Sequence, residues 1–205
     1  MNYLAHLHLA RHAPLAMVGG LLGDFAKPAQ SADFDPVVQY EIRLHWRIDA
    51  YTDSHPIVAD ARAGFGEGRR RFAGIVLDVF YDHLLAKHWS TYCDEALPTF
   101  AQRCYAALLA HRAALPDKVL PLVERMAQQD WLTSYVERSN VDAAVRRIAL
   151  RLSRGGDSLV AALDDLAKLD AQLEHGFHAF FPQLEAYVAT QRASASNTPG
   201  QTDGQ

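Results

Sequence analysis

Histidine and aspartate side chains recur at helical spacing in one stretch of the chain, in a pattern typical of a metal site. His45, Asp49 and Asp53 are four residues apart, so they share one face of a helix for as long as that helix lasts. Imidazole and carboxylate ligands in one column suit a divalent cation such as Mn²⁺, Mg²⁺ or Fe²⁺. A row of solvated charges near a helix end is the alternative interpretation.

A second group of such residues lies further along the chain. Asp78 and Asp82 are four residues apart and His83 follows directly, all within an apolar run over residues 75–85. Carboxylates in such surroundings are expected to be partly buried, and an unpaired buried charge is costly. A cation, either an arginine or a metal ion, should therefore meet them.

Three further residues near the amino terminus could contribute to the same chemistry. Asp24 follows a glycine-bearing turn, where its carboxylate could project freely or cap a helix. His6 and His8 would point to the same side if their segment is extended. A buried core position is the alternative for either histidine.

Arginines accompany both groups. Arg43 and Arg47 lie on the same predicted helix as His45, and Arg69, Arg70 and Arg71 precede the second group. Arginine binds phosphate through paired hydrogen bonds, and a metal ion lowers the pKa of bound water and holds a phosphoryl oxygen. The combination predicts metal-assisted attack on a phosphoester, while solubility and salt bridging are the alternative for each arginine.

The elements that carry these residues are predicted to be helices. Asp35 and Pro36 are a good helix start, and this helix should run to about Tyr51 or Asp53. The second group should lie on a helix from Phe72 to Leu85. Further helices are predicted over 98–113, 116–128, 130–153 and from 157 to 187, with brief alternation at residues 5–9 that fits either a strand or a helix.

Composition sets the limits on fold class and partners. The chain has 205 residues, 49% hydrophobic and 21% charged, which suits one globular domain. Because helical spacing dominates, we expect an all-α domain over residues 1–190, and residues 191–205, which have nothing to bury, should form a disordered tail. The formal net charge of −4 argues against a nucleic-acid partner. No apolar run approaches the ~18 residues of a membrane span. Cys93 and Cys104 match neither a zinc nor a disulfide pattern, so we expect a cytoplasmic protein.

Several spaced motifs together resemble one known family. They are the segment Met1–Leu9, the tripeptide Gly23-Asp24-Phe25, the segment His45–Asp49, the segment Leu77–His83 and the pair His88-Trp89. In this order they resemble the acyl carrier protein phosphodiesterases. The resemblance is densest over residues 1–90 and continues more loosely to about residue 188.

The resemblance implies a specific reaction. Members of this family hydrolyse the phosphodiester between 4′-phosphopantetheine and a serine of holo-acyl carrier protein, and they are manganese-dependent. The resemblance therefore implies water activated by a divalent metal ion, Mn²⁺ before Mg²⁺ or Fe²⁺. Members of the family are described as distant relatives of the HD-type metal phosphohydrolases, so an HD-like helical bundle is expected. This chain has no His-Asp dipeptide, and the ligands therefore cannot be copied from the HD signature.

On this basis each candidate residue receives an expected role. The metal ligands are expected to be Asp24, His45, Asp49, Asp82 and His83. Arg43 or Arg47 would steady the phosphate oxygens, and His6 or His8 would protonate the departing serine oxygen. Asp53 and Asp78 would orient ligands or arginines. The acidic carrier protein would dock on Arg69, Arg70 and Arg71.

Two other functions remain open from the sequence. A phosphohydrolase of similar build could act on a nucleotide or another small phosphodiester. A non-catalytic helical module could hold a partner while its acidic faces merely pair with arginines. The sequence does not indicate an oligomeric state.

Overall fold

The computed structural model of the chain describes residues 1–28 and 33–196, which form α-helices joined by turns. No strand occurs among these residues, which confirms the all-α prediction. The helices are α1 (Tyr3–Leu9), α2 (Pro14–Leu22), α3 (Pro36–Ser54), α4 (Pro56–Ala63), α5 (Ala73–Lys87), α6 (Trp89–Tyr92), α7 (Leu97–Ala110), α8 (Leu120–Gln128), α9 (Trp131–Ser134), α10 (Arg138–Ala149) and α11 (Gly156–Ser196). They enclose one continuous apolar core.

Helix α3 begins at the predicted residues. The carboxylate of Asp35 accepts a hydrogen bond of 2.8 Å from the backbone N–H of Val37, and Pro36 occupies the first helical position. The helix ends at Ser54, and Pro56 starts α4 two residues later. Proline suits a first helical turn because its missing N–H would have no partner there.

The amino-terminal segment is the helix α1 rather than a strand, and a buried carboxylate holds its first turn. Asp82 on α5 is fully buried and accepts hydrogen bonds from the backbone N–H groups of Leu4 and Ala5, at 2.7 and 3.1 Å. The first N–H groups of a helix have no partner within the helix. Asp82 supplies that partner and thereby fixes α1 against α5.

Helices α2 and α3 approach closely because α2 presents glycines to α3. A Cβ atom added to Gly19 would lie 2.6 Å from the Cβ of Glu41, and one added to Gly23 would lie 2.1 Å from Cγ of His45. Both distances are far below van der Waals contact. Side chains at these positions would therefore push α3 and the His45 ring away.

The prediction of one helix over 130–153 is wrong, because the chain breaks between α9 and α10. The carbonyl of Tyr135 accepts a hydrogen bond from Nδ1 of His83 at 2.8 Å, and the carbonyl of Ser134 accepts one from Nδ2 of Asn140 at 2.8 Å. These side chains occupy acceptors that a continuous helix would use for its own backbone.

Helix α11 is longer than predicted and shortens the proposed tail. Residues 191–196 are helical, and Arg192 pairs with Glu41 at 2.8 Å, so the predicted disorder is wrong for this part. The rest of the tail, residues 197–205, lies outside the described residues. Within the described part, no helix combines the length and apolarity that crossing a membrane requires.

Replacing Asp82 should destabilise the fold. Asp82→Ala leaves two buried N–H groups without an acceptor, and we expect the free energy of unfolding to fall by about 3 kcal/mol. Asp82→Asn keeps one acceptor oxygen and should lose less. Urea denaturation of the three proteins in the presence of a chelator checks this order, and an Ala variant as stable as the original protein would contradict it.

Candidate metal centre

Helices α1 and α3 bring two histidines and one aspartate together. Nε2 of His6 lies 3.1 Å from Oδ1 of Asp49, and Nε2 of His45 lies 3.2 Å from Oδ2 of the same carboxylate. The two imidazole rings stack at a centroid distance of 3.6 Å. Both histidines are buried, whereas Asp49 is partly exposed. We call this group, together with Asp24, the His–Asp centre.

Backbone contact fixes the orientation of His45. Its Nδ1 donates a hydrogen bond of 2.8 Å to the carbonyl of Gly20, because a carbonyl can only accept. Its Nε2 therefore faces the carboxylates of Asp49 and Asp24, the latter at 3.5 Å. A hydrogen bond that fixes one ring nitrogen of a histidine and presents the other is the usual support of a metal ligand.

The charges of the centre shift the pKa values of its members. Burial would lower the pKa of His45, but hydrogen bonds with Asp24 and Asp49 outweigh it and raise this pKa to about 9. Burial lowers the pKa of His6 to about 4, and the neighbouring His45 contributes. Burial raises the pKa of Asp49, yet the hydrogen bonds from His45 and His6 hold it well below its ordinary value.

These residues fit a divalent metal ion. Without a cation, the Nε2 lone pair of neutral His45 would face two carboxylates, so a proton must occupy this position, as the raised pKa indicates. Two ligands of one ion at ~2.1 Å lie about 3 Å apart, close to the separations between Asp49 and the two histidines. His6, His45, Asp49 and Asp24 would hold the ion.

Asp82 and His83 lie outside this centre, contrary to the expected ligand set. The Asp82 carboxylate accepts from the start of α1, and burial raises its pKa to about 7 although the N–H groups of Leu4 and Ala5 oppose the rise. The His83 ring donates to the Tyr135 carbonyl. Adjacent residues on a helix point about 100° apart, so Asp82 and His83 face different neighbours. The apolar run in the sequence does not indicate which neighbours these are.

The two aspartates expected to orient ligands differ in position. Asp78 accepts a hydrogen bond of 2.9 Å from the amino group of Met1, which also lies 3.6 Å from Oδ1 of Asp49. The amino group of Met1 thereby links Asp78 to Asp49 of the centre. Asp53 is exposed and pairs with Arg62 on α4, so it does not reach the centre.

His6 and His8 diverge because their segment is helical. Two residues along a helix turn the side chain by about 200°, and His8 instead pairs with Glu185 on α11 at 2.9 Å, among aromatic rings. His6 joins the ligand group. With a pKa of about 4, its ring is neutral at pH 7, which favours a ligand over a proton donor.

The candidate phosphate-binding arginines point away from the centre. Arg43 and Arg47 are each two residues from His45 on α3, so the helix directs them to the opposite side. Both are exposed, and Nη1 of Arg47 donates to Oε1 of Gln191 at 3.1 Å. The structure does not bring them to the His–Asp centre.

The arginines expected to dock the carrier protein are partly engaged within the chain. Arg69 forms a two-point contact with Asp165, at 2.5 and 2.9 Å. Arg70 donates to the carbonyl of Ala63, and the Arg71 guanidinium lies 4.6 Å from the centroid of the Phe72 ring. Their role in docking stays a prediction.

A second group, His88, Glu174 and His178, also has metal-ligand types within reach of one another. Glu174 binds Lys87 through both carboxylate oxygens at 2.9 Å as well as His88, and the hydroxyl of Tyr92 contacts Nδ1 of His178 at 2.7 Å. Lys87 thus already neutralises the carboxylate of this group, and none of its three members is buried, whereas both histidines of the His–Asp centre are buried. The His–Asp centre is therefore the stronger metal candidate.

The sequence interpretation missed the role of the glycines in α2. Gly20 supplies the carbonyl that orients His45, and Gly23 leaves the space for its ring. Gly19 in α2 and Gly23 directly after this helix are four residues apart, and both face α3. This spacing was the available signal for a close helix contact.

Gly23→Ala should weaken metal binding without unfolding the protein. The new Cβ would overlap the His45 ring and displace Nε2, so we expect Mn²⁺ affinity to fall at least about tenfold. Gly74→Ala is the control, because its Cβ would meet only the flexible end of Arg62 at 3.2 Å. Calorimetric titration checks this, and equal affinities would contradict it.

The pH should affect both stability and metal binding through His45. Its pKa of about 9 lies above the unfolded value of 6.5, so in metal-free protein its stabilising contribution is complete below pH 6.5 and disappears as the pH rises through 9. An ion must displace this proton, so affinity for Mn²⁺ should rise about tenfold per unit between pH 7 and 9. An affinity independent of pH would contradict this protonation state.

Comparisons with known proteins agree with the resemblance. A sequence model described as acyl carrier protein phosphodiesterase matches residues 1–184. No solved structure matches the chain.

Three relatives named acyl carrier protein phosphodiesterase illustrate the similarity. The protein from Serratia proteamaculans is 36% identical over 90% of this chain and 95% of its own length. The protein from Escherichia coli O6:H1 is 35% identical over 90% of this chain and 95% of its own length. The protein from Pectobacterium atrosepticum is 32% identical over 94% of this chain and 100% of its own length. The chain therefore belongs to the acyl carrier protein phosphodiesterase family.

Proposed function

We propose that this protein hydrolyses the phosphodiester between 4′-phosphopantetheine and the serine of holo-acyl carrier protein. A bond forms between a water oxygen and phosphorus, and the bond between phosphorus and the serine oxygen breaks. The serine oxygen receives a proton, and the products are apo-acyl carrier protein and free 4′-phosphopantetheine. The names of the relatives support the substrate.

The His–Asp centre is the observation that carries this proposal. When bound there, a divalent ion would activate water, hold a phosphoryl oxygen and offset the charge on the leaving group. His45 presents a fixed Nε2, because Gly20 holds its other nitrogen. Neutral His6 and ionised Asp49 present a nitrogen and oxygens at the same point.

The surroundings of the centre suit a charged substrate. Asp49 and Asp24 have 39% and 38% of their side chains exposed, whereas both histidines are buried. One side of the centre is thus open to solvent and the other is held by α1, α2 and α3. A phosphodiester could approach from the open side without movement of the helices.

The same proposal includes manganese as the resident metal, an HD-like arrangement of the helices and a cytoplasmic location. Two histidines with carboxylates on neighbouring helices are consistent with Mn²⁺, and Mg²⁺ or Fe²⁺ share these ligand preferences. The metal content of protein purified without a chelator would identify the ion.

The intact mass of holo-acyl carrier protein after incubation with this protein tests the reaction. With Mn²⁺ we expect loss of the whole 4′-phosphopantetheine group, and with a chelator no change. An unchanged mass in the presence of folded, metal-loaded protein would favour a small phosphodiester as substrate. An unchanged mass with no metal binding would favour a non-catalytic module.

Asp49→Asn should abolish the reaction while the fold persists. The loss of a ligand should lower kcat by more than about 100-fold, because even partners outside the ligand set cost 10–100-fold. Asp60→Asn on α4 is the control, since Asp60 is exposed and lines a different cavity, beside Ile57 and Tyr81. Retained activity in Asp49→Asn, with circular dichroism unchanged, would rule out this centre.

A further inference from the structure

An open cavity of about 290 Å³ lies between the start of α1 and the helices α8, α9 and α10. Its volume is near the lower end of the range for small-molecule sites. Asn2 and Tyr3 form the wall at the start of α1, and residues of α5, α8, α9 and α10 also line the cavity. The structure therefore offers a binding space beside the first turn of α1.

The cavity lies next to the His–Asp centre. The amino group of Met1 is 3.6 Å from Asp49, and the two residues that follow Met1 line the cavity. The N–Cα bond is about 1.5 Å long and consecutive Cα atoms are about 3.8 Å apart, so the Cα of Asn2 lies no more than about 9 Å from the Asp49 carboxylate. The charge of Asp24 also reaches the Tyr3 hydroxyl, where burial and this charge raise the pKa to about 12.

The mouth of the cavity is positively charged. Arg125, Arg147 and Arg151 line it and are exposed, and no acidic residue is among the described residues around it. Within the described part of the chain none of the three forms an ion pair, although the whole chain carries a net charge of −4. Arg147 lies 5.7 Å from the centroid of the Trp131 ring. Such a group attracts an anionic partner.

The interior combines apolar surface with hydrogen-bond acceptors. Val79, Leu122 and Ile148 contribute apolar groups. Asn2 and Asn140 each donate through Nδ2, to the Tyr135 hydroxyl and to the Ser134 carbonyl, and no described residue occupies their Oδ1 atoms. Two amide oxygens beside these apolar groups suit a chain that alternates alkyl segments with amide N–H groups.

We infer that this cavity binds the pantetheine arm of holo-acyl carrier protein, while Arg125, Arg147 and Arg151 contact the acidic surface of the carrier protein. The inference rests on the proposed function. The arm alternates a dimethyl group and short alkyl segments with two amides, and it begins at the phosphate that the His–Asp centre would hold. These arginines are also freer than Arg69, whose guanidinium is held by Asp165.

Filling the cavity tests the binding of the arm. Ala144 lines the cavity, whereas Ala143 is exposed beside it on α10. We expect Ala144→Phe to lower cleavage of holo-acyl carrier protein at least about tenfold and to abolish calorimetric binding of free 4′-phosphopantetheine. Ala143→Phe should change neither. Metal-dependent hydrolysis of bis(4-nitrophenyl) phosphate, which has no pantetheine arm, should survive in both variants.

Reversing the charge of one arginine at the mouth of the cavity tests whether these arginines contact the carrier protein. Arg147→Glu should raise KM for holo-acyl carrier protein about tenfold with little change in kcat, and should weaken the dependence of KM on salt. Arg146→Glu is the matched control, because Arg146 is exposed on the same helix but does not line the cavity. Equal effects of the two reversals would show a general charge effect and overturn the assignment of the mouth.

The outcomes separate this inference from the proposed function. If the original protein with Mn²⁺ does not cleave holo-acyl carrier protein, the proposed function fails. If it does, and Ala144→Phe cleaves and binds equally well, only the cavity assignment fails. Loss of bis(4-nitrophenyl) phosphate hydrolysis in Ala144→Phe would also overturn it, because the substitution would then act on the His–Asp centre.

Discussion

The contact between the buried Asp82 carboxylate and the first turn of α1 supports the arrangement of the whole site. Two backbone N–H groups bind one carboxylate in a region without solvent, and this fixes both the position and the direction of a helix of only seven residues. A helix this short is not stable alone. His6, the wall at Asn2 and Tyr3, and the contact of Met1 with Asp49 all depend on it.

The second support is the close packing of α2 on α3. Glycines remove the side chains that would keep the helices apart, and the resulting space admits the His45 ring to the Gly20 carbonyl. The centre thus combines His6, on the helix α1 that the Asp82 carboxylate fixes, with His45 and Asp49, on the helix α3 that packs closely on α2. His45 is thus oriented without an ion, which would reduce the entropy lost if a metal ion bound there.

The sequence predicted those features that depend on local spacing. The start of α3, the shared face of His45 and Asp49 and the all-α fold follow from capping residues and helical periodicity. The divergence of His6 and His8 could not be predicted, because alternation over five residues fits a strand and a helix equally. The roles of Asp82 and His83 depend on partners 78 and 52 residues away, which no local pattern encodes.

The contacts between α1 and α11 join residues that are far apart in the sequence. Nη1 of Arg192 donates to the carbonyl of Leu9 at 2.8 Å across 183 positions, and Glu185 contacts His8 across 177. Helix α1 itself packs on α2 and α5, and these two contacts with α11 complete its surroundings. Contacts between residues so far apart in sequence cost much loop entropy, so we expect α1 to dock on α5 first and its pairs with α11 to form late in folding.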